Sequence, residues 1–223
     1  DIEISVIDDF EGGTDYWWEP GQSGSTTGTL PGLTSSGAIS DTVNPLTGST
    51  IALKINYGWD EDSDTGWLLR EYLSGGSARN KSFTKNKVMQ AYVFGDGSMN
   101  RFRFALDDDI SGSGGHEVSP WFIIDWVGWK LVTWDMSGNE TGDWIGDGSL
   151  DGMLRMDSFQ LGYDPNVENA SISGTVIIDD FRLIEYVDVA IDEETVATVP
   201  ENFHLKQNYP NPFNPSTRIG FTL

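Results

Sequence analysis

Arg101-Phe-Arg-Phe-Ala-Leu106 sets an apolar side chain at every second position. Side chains of a strand point to opposite faces with a period of two, so Phe102, Phe104 and Leu106 take one face and Arg101, Arg103 and Ala105 the other. Outward from this stretch the chain repeats the theme as alternation, or as short apolar runs bounded by clusters of Gly, Asn, Asp and Ser. Candidate strands cover 4–10, 51–57, 66–72, 88–94, 101–106, 121–124, 130–135, 158–163 and 175–185, while helical periodicity is nearly absent. The pattern is that of an all-β sandwich or barrel. Trp129 and Trp134 fall in a strong strand pattern and are expected in the interior. The intervening segments read as loops, the longest being 12–49, and a loop of that length is functional or mobile.

The chain has 223 residues, with 26 Gly and 9 Trp, room for one large β domain and a tail. Its 13 Lys and Arg against 35 Asp and Glu give a net charge of −22. Binding to phosphate backbones depends on Lys and Arg neutralising them, so this balance excludes nucleic acid as a partner and disfavours anionic membrane surfaces. There is no Cys, hence neither disulfide nor thiolate metal site. The longest apolar run, 121–129, is interrupted by Asp125 and is too short to span a bilayer, so no membrane insertion is expected. A start at Asp1 with no signal peptide fits a mature product after cleavage, and equally a trimmed chain. No nucleophile elbow, P-loop or zinc motif is present, and His116 and His204 are far apart in sequence, so no catalytic residue is assigned and no enzyme is expected. His116, beside Glu117, is expected to make a local hydrogen bond in a loop.

Val6-Ile-Asp-Asp-Phe-Glu11 opens the body of the chain, and Ser173-Gly-Thr-Val-Ile-Ile-Asp-Asp-Phe-Arg-Leu183 closes it. Between them come Gly97-Ser-Met-Asn-Arg-Phe-Arg-Phe104 and Trp126-Val-Gly-Trp-Lys-Leu-Val-Thr-Trp-Asp135. Over residues 1–186 the chain resembles the jelly-roll domains of carbohydrate-binding modules and galactose-binding-like proteins. The resemblance implies a jelly-roll β-sandwich. It also implies a structural calcium between an acidic group near the first strand and the Asp of the last. Carried over, it proposes Asp9, Glu11 and Asp179 as ligands, with Asp180 and Asp8 as alternates. Two Asp-Asp pairs meeting at strand ends would repel unless a divalent cation or water screens them; the other reading is two exposed acidic ends that never meet. Asp107-Asp-Asp109, close before Ser111-Gly-Ser-Gly-Gly115, is either a second oxygen cage or a solvated turn.

Flat aromatic faces pack on pyranose rings, which makes the tryptophans of Gly- and Asp-rich loops candidate sugar contacts. Tyr16-Trp17-Trp18 would form an exposed platform, with Trp59 and Trp144 in similar loops. The same aromatics folded back to plug the sandwich ends are the alternative.

Residues 187–199 include Asp188, Asp192, Glu193 and Glu194 and no aromatic, and read as an acidic linker. Beyond it, Phe203 and Leu205 precede Gln207-Asn-Tyr-Pro-Asn-Pro-Phe-Asn-Pro-Ser-Thr217, followed by alternating Ile219, Phe221 and Leu223. Residues 200–223 resemble the start of the C-terminal sorting domain carried by cargo of the bacterial type IX secretion system. That resemblance implies export by this machinery from a Gram-negative bacterium, to the cell surface or beyond.

Two functions of different class follow. In the first, the protein is a non-catalytic extracellular structural subunit. Its terminal strand needs partners for its backbone groups and apolar face, and would dock on its own body or on a neighbouring copy, the latter through Phe213, Ile219, Phe221 and Leu223. Head-to-tail contacts of this kind build a homopolymer, a filament or tube. In the alternative, the protein is a polysaccharide-binding module of a cell-surface or secreted protein.

Overall fold

The computed structural model describes residues 1–187 apart from 113 and 139, together with the backbone of 204–205 and 221–222. The chain divides into two compact units, Asp1–Val187 and Asp188–Leu223. The strands of the first unit are β1 (Ile2–Asp8), β2 (Ser35–Ile39), β3 (Ala52–Gly58), β4 (Leu68–Tyr72), β5 (Ser82–Phe83), β6 (Val88–Asp96), β7 (Arg101–Asp108), β8 (Gly115–Val118), β9 (Phe122–Ile123), β10 (Val127–Asp135), β11 (Leu154–Gly162) and β12 (Ser173–Tyr186), with a short helix α1 (Gly76–Arg79). They form two antiparallel sheets. Sheet I runs β10-β6-β12-β3-β2, with β1 also on β12; sheet II runs β4-β11-β7-β8, with β5 beside β11 and β9 beside β7.

The sheets meet through aromatic rings. Phe104 of β7 has Phe102, Phe159, Phe181 and Trp134 around it at centroid distances of 5.2 to 6.5 Å. Phe159 belongs to sheet II and Phe181 and Trp134 to sheet I, so the cluster ties one sheet to the other, and such rings bring large apolar area into the core. Trp17, from the long first loop, stacks on Phe159 at 4.8 Å, and its indole N–H donates to Asp8 at 2.9 Å.

Two long strands carry bulges, each marked by acid. In β12, Val176 and Ile178 face the core, and so do Phe181 and Leu183. An odd spacing between two inward pairs requires an extra residue. The ladder accordingly shifts between Asp179↔Tyr92 and Arg182↔Gln90, with Asp180 at φ 45°, a left-handed conformation that Asp tolerates. In β11, Leu154 and Met156 face inward, then Phe159 and Leu161, and the ladder to β7 shifts between Met156 and Ser158, at Asp157.

Several expectations are revised. β2 and β8 lie in stretches read as loops; Ser35-Ser-Gly-Ala-Ile39 has no apolar alternation and is fixed by pairing with β3. Trp134 is in the core, but Trp129 is not: five residues apart in one strand, they face opposite ways. Trp129 lies on the outer face of sheet I, edge-on to Phe94 at 5.5 Å.

In the second unit β13 (His204–Leu205) pairs antiparallel with β14 (Phe221–Thr222). The terminal strand on which the self-assembly expectation rests is therefore paired within its own unit. Phe213, Ile219 and Leu223 lie outside the described residues, as does the proposed linker apart from Val187. Among the described residues no helix is long and apolar enough to cross a membrane.

One inward position is polar. Glu71 of β4 is fully buried in line with Leu69 and Leu73, and among the described residues neither carboxyl oxygen has a well-formed hydrogen bond, the Ser36 side chain only partly offsetting burial. Burial, with the Glu19 charge adding to it, lifts its pKa well above the usual carboxylate range. A carboxyl whose folded pKa is raised costs stability above its unfolded pKa of about 4.3 and nothing below it. Glu71→Gln is thus expected to raise the unfolding free energy at neutral pH, by about 1 kcal/mol or more, and the gain should vanish as pH falls to about 4 in denaturant titrations.

Candidate functional site

The outer face of sheet II is polar yet largely buried. Phe102, Phe104 and Leu106 point inward, so Arg101, Arg103 and Asp107 point outward on β7. Across the ladder Arg103 faces Gln160 and Asp107 faces Arg155 on β11, while Arg70 of β4 lies opposite Gln160 and Tyr72 opposite Ser158. On the other side of β7, Asp107 is in register with His116 of β8. The β11 bulge adds Asp157 to this face.

These groups interlock. Arg70 holds Asp157 through Nε at 3.0 Å and through Nη2. Asp107 takes Arg155 Nε and Nη2 at 2.8 and 2.7 Å, pairs with Arg79 Nη2, and has His116 Nδ1 3.1 Å from its other oxygen. Burial alone would raise Asp107, but His116, Arg155 and Arg79 bring its pKa down to about 2. Arg103 bonds Gln160 Oε1 at 2.8 Å and the Asp143 carbonyl at 3.0 Å and lies 3.8 Å over the Trp121 ring. Burial and then Arg101 lower its pKa to about 10. Gly162 lets that ring lie flat on the sheet, since a Cβ there would stand 3.1 Å from it.

Arg70, Tyr72, Arg79, Asp107, His116, Arg155 and Asp157 line a groove of about 550 Å³. Arg70 sits 4.3 Å over the Tyr72 ring. Trp18 meets Tyr72 edge-on at 5.1 Å and is 40% exposed, so a partly free indole stands at the rim. Trp144 lies 5.6 Å from His116. Asp107, His116 and Asp157 bring ligand atoms within 4.8 Å of one another, but three guanidiniums already hold the two carboxylates, an arrangement hostile to a further cation.

The sequence-derived sites fare differently. Tyr16 is 56% exposed and leans on Gly75-Gly76, where a Cβ at Gly76 would come within 2.5 Å of its ring. Trp17 and Trp59, at 6% and 1% exposure, are core residues and cannot stack on a sugar; no Tyr16-Trp17-Trp18 platform forms. Asp107 and Asp108 are buried strand residues, and Asp108 and Asp109 line a small acidic pocket with Glu117, Asp147 and Asp151. Of the four metal candidates, Asp9 accepts the nearby Glu11 N–H at 3.2 Å, and Asp180 pairs with Arg182 at 2.6 Å. Glu11 and Asp179 converge on one loop instead. Glu11 receives the N–H groups of Thr50 and Ile51 at 2.7 and 3.0 Å and the Thr50 hydroxyl. Asp179 receives Asn44 N–H and Ser49 Oγ, both at 3.0 Å.

Arg70, Tyr72, Arg79, Arg155 and Asp157 carry no site expectation from the sequence, and His116, expected to make a local bond in a loop, lies in β8 and faces Asp107. The available signal was polar residues at alternate positions of apolar strands, as in Leu69-Arg-Glu-Tyr-Leu73 and Leu154-Arg-Met-Asp-Ser-Phe159.

No family model matches the chain, and neither does any curated protein. Several solved structures are similar to it. A family 11 carbohydrate-binding module from Clostridium thermocellum, in complex with a β-1,3-1,4-mixed-linked tetrasaccharide, is 20% identical with a TM-score of 0.52, covering 83% of this chain and 98% of that one. The family 11 module of a cellulosomal cellulase from the same organism is 18% identical with a TM-score of 0.46, covering 85% and 99%. The first likeness establishes the fold as the β-sandwich of carbohydrate-binding modules.

The Asp107 carboxylate, 3.1 Å from Nδ1, raises the His116 pKa, against burial. A His with a raised folded pKa adds stability that is full below its unfolded value of about 6.5 and lost as pH rises through the folded value. The melting temperature is expected to decline from about pH 6 to 8, and His116→Gln should flatten that part of the profile.

Proposed function

We propose that the protein is a non-catalytic polysaccharide-binding module whose site is the groove on the outer face of sheet II. The observation that carries this reading is the groove itself, in which planar polar side chains are locked against one another beside the part-exposed rings of Tyr72 and Trp18. Ligand sites combine flat apolar contact with a few fixed polar groups, and pre-formed ones lose little entropy on binding. The fold likeness supports the reading, since the similar module was solved with a tetrasaccharide. The C-terminal resemblance adds the proposal that the module acts outside the cell. Self-assembly through the tail has less behind it, because β14 is paired within its own unit.

Affinity electrophoresis through polysaccharide gels tests the reading. Trp18→Ala is expected to weaken retention at least about tenfold, the scale of a central aromatic contact, while Trp129→Ala on the other sheet leaves it intact. Equal loss in both, or none in either, would remove the groove from consideration.

Calcium is proposed at the Glu11–Asp179 junction, where both carboxylates and the Ser49 and Thr50 hydroxyls offer hard oxygen donors. Such an ion would join the start of the fold to its last strand. Chelation is then expected to lower the melting temperature by several degrees; an unchanged melt would leave the hydrogen bonds to hold the 44–51 loop alone.

A further inference from the structure

A second pocket, sharing no residue with the groove, lies between β9 of sheet II and β10 of sheet I. It holds about 390 Å³, within the range of about 300 to 1,000 Å³ usual for small-ligand sites. Trp121, Phe122, Trp126 and Leu131 line it, together with Asp125 and Lys130. Ile123, also at the pocket, and nearby Val127 are 39% and 79% exposed, so apolar surface stands open here, and on a soluble domain such a patch points to contact with another molecule. The wall is firmly held. Ile124 is fully buried; its N–H donates to the Asn100 carbonyl at 2.8 Å and its carbonyl accepts the Met99 N–H at 3.0 Å. The Trp126 carbonyl accepts the Gly97 N–H at 2.8 Å. Backbone bonds to the β6–β7 turn thus fix the segment between the two tryptophans. Gly95 makes room for Trp126, since a Cβ there would stand 2.6 Å from the indole Nε1.

The polar groups of this pocket are uncommitted. Among the described residues the Asp125 carboxylate takes no hydrogen bond, and the Lys130 ammonium, 4.3 Å over the Trp126 ring, forms no ion pair. One offers acceptors and the other donors, and their charges cancel. Together they suit a neutral ligand whose polar groups both give and take hydrogen bonds. Sugar hydroxyls do so, and the indoles beside them suit the C–H face of a pyranose. A peptide strand added to the free edge of β10 would also bring both kinds of group. Lys130 opposes that occupant. It shares the inward parity of Val132 and Trp134, and an inward charge on an edge strand is a device against strand addition. Trp121 links the pocket to the groove. Its ring lies 3.8 Å from the Arg103 guanidinium, and from Arg103 to Asp107 in the groove β7 advances roughly 13 Å, a distance that one polysaccharide chain can bridge.

We propose that this pocket is a second glycan site, taking one pyranose unit of a neutral polysaccharide that the groove holds elsewhere along its length. The inference rests on reading the chain as a glycan binder, but not on the groove being the place. The test follows the indole N–H signals of Trp18 and Trp126 by NMR while the whole chain is titrated with cellobiose, xylobiose, mannobiose and galactobiose. At least one disaccharide is expected to shift both signals in a saturable way. In Trp18→Ala the Trp126 titration should persist. In the double variant Asp125→Ala/Lys130→Ala, which alters two exposed side chains, it should weaken at least about tenfold, as loss of charge-assisted hydrogen bonds implies, while the Trp18 titration stays as it was. The polymer of the same sugar should bind about a hundredfold more tightly than the disaccharide, and either variant should remove most of that gain. A shift of Trp18 alone, or a Trp126 titration unchanged in the double variant, would overturn the second site and leave the groove standing. A shift of Trp126 alone would uphold this site and overturn the groove. No shift of either signal with any of the four would overturn both this inference and the glycan reading.

Discussion

The fold depends on the way β12 changes parity at its bulge. This strand pairs with β3 over its first half, with β1 over its second, and with β6 between Ile177 and Ile184. Without the extra residue, either Val176 and Ile178 or Phe181 and Leu183 would point to solvent, because a one-residue slip moves a whole run of side chains to the other face. The bulge keeps both pairs inside and turns Asp179 toward the 44–51 loop, where its buried carboxylate collects Asn44 and Ser49. One irregularity therefore aligns the core, joins two partner strands in tandem and fastens a loop.

Much of the sandwich was legible, because burial on one face imposes a period of two and β7, β3 and β6 keep it. What escaped has particular causes. β2 is a short stretch of small and polar residues that exists through its partner. Trp129 points outward because its interval of five from the inward Trp134 is odd, and the odd interval between Ile178 and Phe181 likewise marks a bulge within what reads as one strand. Glu71 breaks the apolar pattern at an inward position, and nothing local in the sequence marks it as buried.

The candidate site was harder to see. The alternation at 101–106 put Arg101 and Arg103 on an outer face, but no local rule says that an outer face will be covered enough to hold a buried ion network. Asp107 illustrates the limit: in sequence it is one of three aspartates before a Gly-rich turn, whereas in the fold it meets Arg79, Arg155 and His116 from three different elements. Such long-range convergence leaves no trace in spacing. Trp17 and Trp18 show the converse, since loop residence gave no way to tell which indole would be buried.

Those two neighbours have a kinetic meaning. The loop that carries them is long, yet it bridges to β4 at Trp17↔Leu73 and Thr27↔Leu68, and Trp18 N–H donates to the Tyr72 carbonyl at 2.9 Å. Trp17 is driven into the core like a peg while Trp18, the next residue, stands at the groove. If the groove takes a glycan as proposed, a rim pinned in this way would have no closing motion to complete before capture. Association would then run at the pace of encounter, without the slowing that a required rearrangement imposes, and the time a ligand stays would be set by its contacts and not by the opening of a gate.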